Sequence, residues 1–315
     1  MDRVLITGGD GFIGSHLAER LLKSGARVRI MDNMTGRRGA NVDFLKTIKT
    51  GRLEVVEDDI RSLEACRKAC QGMDGVLHQA GLGSVSRSVE NPLESHSINA
   101  TGTLNMLTAA KESGAGRFVW ASSSSVYGDQ TPPEAPKHEA MEPRPNSPYA
   151  AAKLNGEQHA NLFYRLYGFP AVSLRYFNVF GPRQDPDSPY AAVIPKFIQW
   201  ILKGEQPRVF GDGLQSRDFT HVSNVVEANI RTLTSAEAPG RVINVANGQA
   251  HSLLDLLERL KVLLRAEFEP VFVEPRPGDV RHSLADISLA REILNLKPEM
   301  NFDQGLADTV AAFGD

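Results

Sequence analysis

Val4-Leu5-Ile6-Thr7-Gly8-Gly9-Asp10-Gly11-Phe12-Ile13-Gly14 begins as an apolar run, breaks at glycines spaced G-x-x-G-x-x-G, and resumes as an amphipathic pattern to about Ser24. That order predicts a buried parallel strand, a tight turn and a helix. Gly8 then serves the turn, Gly11 lets a pyrophosphate reach backbone amides where Phe12 and Ile13 open the helix, and Gly14 permits close packing of helix on strand. A second strand, Val28-Arg29-Ile30-Met31, ends at Asp32, whose carboxylate can accept both hydroxyls of a ribose and would repel a 2'-phosphate. NAD is therefore expected over NADP, with Arg37 and Arg38 as the counter-signal.

Further strands follow at regular intervals. Leu53-Glu54-Val55-Val56 leads to Asp58-Asp59-Ile60, a loop that lies over the adenine in a doubly wound sheet, although Asp59 can equally cap the next helix. Gly75-Val76-Leu77-His78 precedes Gln79-Ala80-Gly81, whose small residues let backbone pass close to a cofactor. Pro92 to about Ser113 reads as one long helix, with Asn99 a polar interruption that either bonds backbone or faces water. Phe118-Val119-Trp120-Ala121 opens into the serine run Ser122 to Ser125, at the strand end where ligands sit in open α/β sheets. The proline-rich stretch from Thr131 to Pro148 is a surface excursion suited to a rim.

Tyr149 and Lys153 follow on a helix that begins near Ser147-Pro148, four residues apart and so on one face. A lysine there favours the phenolate, making Tyr149 a candidate general base, and a hydroxyl from the serine run can donate to the same substrate oxygen. After the strand Ala171 to Arg175 the alternation loosens, as expected of a chain leaving its sheet to build a cap. Helices are expected near Val193 to Lys203 and Ser252 to Leu264, a returning strand at Arg241 to Val245, and helix from about Asp286. The fold expected is α/β: a Rossmann-type doubly wound parallel sheet with a smaller, mostly C-terminal α/β substrate lobe. Residues 1–178, with 218–247 returning, form the first part; 179–217 and 248–315 form the second.

The 315 residues are 41% hydrophobic with a formal net charge of -3 and no basic stripe, which argues against nucleic acid or membrane and for a small-molecule partner. With no room for a signal peptide before Val4 and no apolar run long enough to span a bilayer, a cytoplasmic location is expected. The two cysteines, Cys66 and Cys70, read as reduced helix thiols, and the eight histidines lack metal-site spacing, so no metal is expected.

Taken jointly, Gly8, Gly11, Gly14, Asp32, the Ser123 region and Tyr149 with Lys153 resemble the extended short-chain dehydrogenase/reductase family over essentially the whole chain. Arg175-Tyr176-Phe177-Asn178, the stretch from Gly211 to Asp218, and Arg276-Pro277-Gly278-Asp279 resemble its UDP-sugar 4-epimerases. Gly81 to Ser88 and Gln184 to Lys196 look most like the branch acting on UDP-N-acetylhexosamines. The resemblance implies Ser123, Tyr149 and Lys153 as catalytic residues. It adds Asn33, Asp59, Ile60, Gln79, Ala80, Asn99 and Tyr176 to the NAD contacts. For the UDP-sugar it implies Ser84, Ser124, Ser125 and Val193, with Asn178, Arg217 and Arg276 on the diphosphate, Val209 and Phe210 on uracil, and Asp279 on a ribose hydroxyl. A homodimer through the helices near Pro92 to Ser113 and Tyr149 to Tyr167 is also implied.

Relatives that eliminate water carry Asp then Glu after the active-site hydroxyl; here Ser124 and Ser125 stand instead, which disfavours dehydration. UDP-glucuronate 4-epimerases can carry such a serine-rich loop, and that alternative, with UDP-glucuronate decarboxylation, stays open. Ser283 stands where a tyrosine restricts related pockets to unsubstituted hexoses, leaving room for an N-acetyl group. The activity expected is thus UDP-GlcNAc/UDP-GalNAc 4-epimerisation, with UDP-Glc/UDP-Gal also accepted. Ser223-Asn224 departs from a common Asp and is expected to affect helix capping. A non-catalytic NAD-binding regulator is disfavoured by the intact Ser123, Tyr149 and Lys153 set.

Overall fold

The computed structural model describes residues 1–36, 38–130, 132–188, 191–275 and 280–314. Its centre is a seven-stranded parallel sheet in which β1 (Arg3–Thr7) lies between β2 (Arg27–Asp32) and β4 (Gly75–His78). Outward from β2 comes β3 (Arg52–Glu57); outward from β4 come β5 (Phe118–Ser123), β6 (Ala171–Tyr176) and the strand Val242–Val245. The strand order reverses between β1 and β4, which opens a crevice at the carboxyl ends of those strands.

Both faces of this sheet are covered, which is why its strands read as unbroken apolar runs. Val4, Ile6, Ile30, Leu77 and Val119 face one core; Leu5, Met31, Val76, Phe118 and Trp120 face the other. Successive residues point to opposite faces, so each strand feeds both cores in turn. Helix α1 (Phe12–Lys23) buries Leu17, Ala18, Leu21 and Leu22 on the first face and packs against the helix Val222–Thr234.

The smaller lobe has its own apolar centre, in which Phe180, Phe197, Ile198, Val209, Leu256 and Phe302 meet. Short strands organise it: Arg208–Phe210 beside Val271–Val273, and Ser216–Arg217 between His251–Ser252 and His282–Ser283. The departure from a common Asp at Ser223-Asn224 has a structural outcome. His221 Nδ1 caps the helix through the Ser223 amide, and Asn224 clamps the C-terminal segment by accepting from the Glu299 and Met300 amides and donating to the Met300 carbonyl.

One expectation changes. The helix read from Pro92 to Ser113 has a π-turn at Ser97–Gly102 between the α-helical pieces Pro92–His96 and Thr103–Glu112. Its cause is local. Asn99 is fully buried, binding both backbone groups of Leu82, while Gly102 faces Ile60 so closely that a β-carbon would lie 2.6 Å from that side chain. The helices α2 (Ala40–Lys46) and α3 (Leu63–Cys70) complete the dinucleotide half.

The helix Pro148–Tyr167 is capped by Ser147, whose hydroxyl accepts from the Ala150 amide at 3.2 Å, carries Pro148 in its first turn, and ends at left-handed Gly168. Its buried face is Ala150, Ala152, Lys153, Gly156, Glu157 and Ala160. Gly156 is required there: a β-carbon would sit 2.7 Å from Trp120 Nε1. Gly156→Ala is expected to lower stability by about 1–3 kcal/mol through overpacking, read as a fall in the urea midpoint at unchanged m-value.

Candidate active site

The dinucleotide half is built on the glycine turn. Gly8 has φ +70° and its amide binds the Met31 carbonyl at 2.9 Å; a side chain on it would lie 2.7 Å from the Ala80 amide. A β-carbon on Gly11 would lie 3.0 Å from the Gly8 carbonyl, and one on Gly14 would collide with that same oxygen. The turn thus forms a cradle that admits no side chains, and it opens at the N-terminus of α1, where Phe12 and Ile13 line the cleft.

Beside it a cleft of about 410 Å³ is lined by Asp32, Asn33, Asp59, Ile60 and Ala80, together with Arg61, which the sequence reading missed. Asp32 Oδ2 accepts from the Asp10 amide at 3.0 Å and Oδ1 from the Met34 amide at 2.9 Å. Burial raises its pKa, and those two amides oppose the rise. Asp10 was also missed; it is buried, and its carboxylate gathers the amides of Gly39, Asn41 and Val42. Asp32 at the end of β2 suits ribose hydroxyls, and with Asp10 beside it the two negative charges oppose a further phosphate. Asp59 is not a helix cap: its carboxylate is taken by Arg61 and Asn33, which hold it at about 2, and Ser62 caps α3. Arg37 lies outside the described residues.

Across the glycine turn a larger cleft of about 630 Å³ brings together Ser123, Ser124, Ser125, Tyr149, Lys153, Gln79, Tyr176 and Asn178 with Arg217 and Ser283 of the facing lobe. Lys153 is buried; its ammonium donates to the Ala121 carbonyl at 2.7 Å and lies 4.1 Å from the Trp120 ring centre and 5.7 Å from that of Tyr149. Burial lowers it to about 7, against the opposing pull of Glu157. Tyr149 is raised by burial, and its hydrogen bond with Ser123 pulls it down.

A buried network supports these groups. Glu157, one turn beyond Lys153, accepts from Arg175 Nε at 2.8 Å and Nη2 at 2.7 Å and from the Ser122 hydroxyl. Ser122 is thereby committed inward, while Ser123 Oγ accepts from the Ser125 amide at 3.2 Å and sets the turn. Ser125 Oγ is buried with no hydrogen-bond partner among the described residues. Tyr176 is held through its hydroxyl by Gln79 and Asn229, and burial pushes it up to about 12.

Several sequence assignments need correction. Asn99 lines neither cleft; behind Gly81 it holds the Leu82 backbone, with its two N–H donors taken by the Leu82 carbonyl and the Ser95 hydroxyl. Ser84 is a helix cap, its hydroxyl accepting from the Arg87 amide, while Gly83 and Val85 line the cleft instead. Val209 is fully buried in the smaller lobe's core, because alternation along its strand turns Phe210 and not Val209 to the ligand side. Phe210 lines a pocket of about 280 Å³ with Val193, Trp200, Asn178 and Arg217. Arg276 and Asp279 lie outside the described residues.

Lys137, unnoticed in the proline-rich excursion, is 2% exposed and lines the large cleft. Among the described residues no cluster of His, Cys, Asp or Glu could hold a metal ion, and no helix is long and apolar enough to cross a membrane.

A glycine cradle at a sheet's switch point, an acid at the end of the second strand, and a tyrosine and lysine facing them define an NAD-dependent enzyme site. The chain belongs to the NAD dependent epimerase/dehydratase family, whose model matches residues 4–246. It is 36% identical over 315 residues to a UDP-glucose 4-epimerase of Mycolicibacterium smegmatis, covering 99% of this chain and 98% of that one. Among solved structures it resembles a UDP-N-acetylglucosamine 4-epimerase from Methanobrevibacter ruminantium M1 in complex with UDP-N-acetylmuramic acid, with TM-score 0.92 and 39% identity over 99% and 98% of the two chains. It also resembles a UDP-glucuronic acid 4-epimerase from Bacillus cereus in complex with UDP-glucuronic acid and NAD, with TM-score 0.91 and 30% identity over 99% and 98%.

Glu157→Gln removes the charge that supports a protonated Lys153. The alkaline limb of the kcat/KM pH profile is expected to move toward lower pH; an unmoved limb would show that Glu157 does not act on Lys153.

Proposed function

We propose that this chain interconverts the carbon 4 epimers of UDP-hexoses, with UDP-GlcNAc and UDP-GalNAc as principal substrates and UDP-Glc and UDP-Gal as additional ones. The observation that carries the reaction is that Tyr149, Ser123 and Lys153 line one cleft at the switch point, beside the glycine turn. Gly8, Gly11 and Gly14 would hold the NAD pyrophosphate and Asp32 the adenosine ribose. Bound there, NAD supplies a reversible hydride acceptor for carbon 4.

Tyr149 takes the proton of the carbon 4 hydroxyl, and Ser123 bonds the same oxygen. Lys153 stabilises the charge that Tyr149 carries as base. Departure of the proton and of the carbon 4 hydride leaves a 4-keto sugar, which turns about its link to the diphosphate and is reduced on the other face. Asn178 and Arg217 hold the diphosphate through this turn. The sugar end of the cleft offers Ser124, Ser125 and Ser283, uncharged side chains that grip a hexose weakly enough to let it rotate. Ser283 supports the N-acetylated substrate by its small volume, and the acid needed to expel a hydroxyl is missing from the Ser124 and Ser125 positions.

A second reading, UDP-glucuronate 4-epimerisation, is favoured by Ser125, whose buried unpartnered hydroxyl is a fit donor for a carboxylate. Incubation with UDP-GlcNAc and with UDP-glucuronate, followed by NMR of the products, separates the two. Tyr149→Phe should lower kcat about 10²- to 10⁴-fold and leave the UDP dissociation constant unchanged. Loss of UDP binding at an unchanged residual rate would refute the base assignment.

We also propose a homodimer, supported by the exposed Val89, Leu93, Leu166 and Tyr167 on the helices facing outward from the site. Sedimentation equilibrium should give twice the chain mass; a monomer at micromolar concentration would refute it.

A further inference from the structure

Lys137 belongs to the segment between β5 and the catalytic helix, yet it is bonded to the smaller lobe. Its amide donates to the Leu284 carbonyl at 2.8 Å, and its carbonyl accepts from the Asp286 amide at 3.0 Å and from Asn244 Nδ2 at 2.8 Å. Its ammonium donates to the His282 carbonyl at 3.1 Å. Lysine has three N–H donors, and His282 is the one acceptor that this ammonium meets among the described residues. No carboxylate among them lies in ion-pair range; Asp129 acts on Lys137 only from a distance, and Arg217 is a nearby like charge.

A buried cation with an arginine for a neighbour is a costly arrangement unless an anion joins it. Burial and Arg217 together lower the Lys137 pKa, and the charge of a bound anion would oppose both. The position narrows the choice of anion. Lys137 bonds the residue before Ser283, and Ser283 is paired in register with Arg217, so the lysine flanks the strand that presents Arg217 to the cleft.

We propose that Lys137 is a substrate-binding residue that takes an oxygen of the nucleotide diphosphate together with Arg217. The assignment rests on the UDP-sugar reading above. It makes the rim between β5 and the catalytic helix part of the nucleotide grip, so the anchor of the rotating sugar draws on both sides of the cleft.

The test compares UDP with uridine, which lacks the phosphates, by calorimetry on the full-length wild type, Lys137→Met and Lys137→Arg. Loss of one charge-assisted hydrogen bond should weaken UDP about 10- to 100-fold in Lys137→Met and leave uridine unchanged, with Lys137→Arg recovering most of the loss. Equal weakening of UDP and uridine would mean that Lys137 only stitches the lobes, and it would overturn the proposal. So would an unchanged UDP affinity, including the case in which Lys137→Met selectively raises KM for UDP-glucuronate, which would assign the lysine to a sugar carboxylate. Should Lys137→Met fail to fold, the Nζ resonance of Lys137 in the wild type, assigned by its absence from Lys137→Arg, must shift with UDP and not with uridine. A wild type that binds UDP but epimerises no sugar would refute the reaction and leave this diphosphate assignment standing.

Discussion

An ammonium group with almost no access to water governs this site. Lys153 is held against the Ala121 carbonyl and the Trp120 ring, and burial brings it to about 7. Such a placement works only if the surroundings make up for lost hydration. The carbonyl at the end of β5, the indole face and the nearby Glu157 carboxylate each do part of this. Gly156 then follows as a necessity, because the helix must approach Trp120 closely enough to seat the ammonium on it. The order of the strands matters for the same reason: β5 ends where the glycine cradle opens, so a group fixed to its last carbonyls faces whatever the cradle holds.

Charge in this protein is paired by depth. Near the surface, pairs such as Lys68 with Glu64 and Lys46 with Asp43 are of the solvated helical kind and add little. Inside, Arg175 and Glu157 are each nearly inaccessible and joined by two bonds, and Asp218 accepts three backbone amides from Asn247, Gly248 and Ala285. Removing one member of such a set leaves a buried charge or donor without its partner, which costs more than the interaction adds when intact. These groups therefore fix geometry. Glu157 turns Ser122 inward and frees Ser123 for the cleft, and Asp218 ties the strand end at Asn247 to the segment that carries Ser283.

What the sequence made readable was what is local. The glycine turn, Asp32, the parallel strands, and the Tyr149 and Lys153 pair each depend on neighbours within a few residues, and unbroken apolar runs, glycine spacing or four-residue spacing reveal them directly. What stayed hidden depends on contacts across the chain. Asn99 is a polar residue in a helical pattern until Leu82 comes to meet it; Val209 and Phe210 are equivalent apolar neighbours until the strand's pleat assigns one to the core and one to the ligand. Lys137 lies in a stretch rich in proline and charge that reads as solvated surface. Its burial is created by strand His282–Ser283, almost 150 residues later, and no periodicity could show it. Asp10 was passed over because it sits inside a glycine motif whose glycines claim the attention, although its carboxylate organises the loop after β2.

The chain holds two tryptophans, and the fold gives them separate stations. Trp120 lies fully buried beneath the Lys153 ammonium and stacked on His78; Trp200 lines the smaller lobe's pocket beside Phe210. Each indole thus samples a different place, one the charge of the Lys153 ammonium and the other the polarity of the smaller lobe's pocket. Intrinsic emission can distinguish events at the dinucleotide end from events at the opposite lobe, without any dye attached.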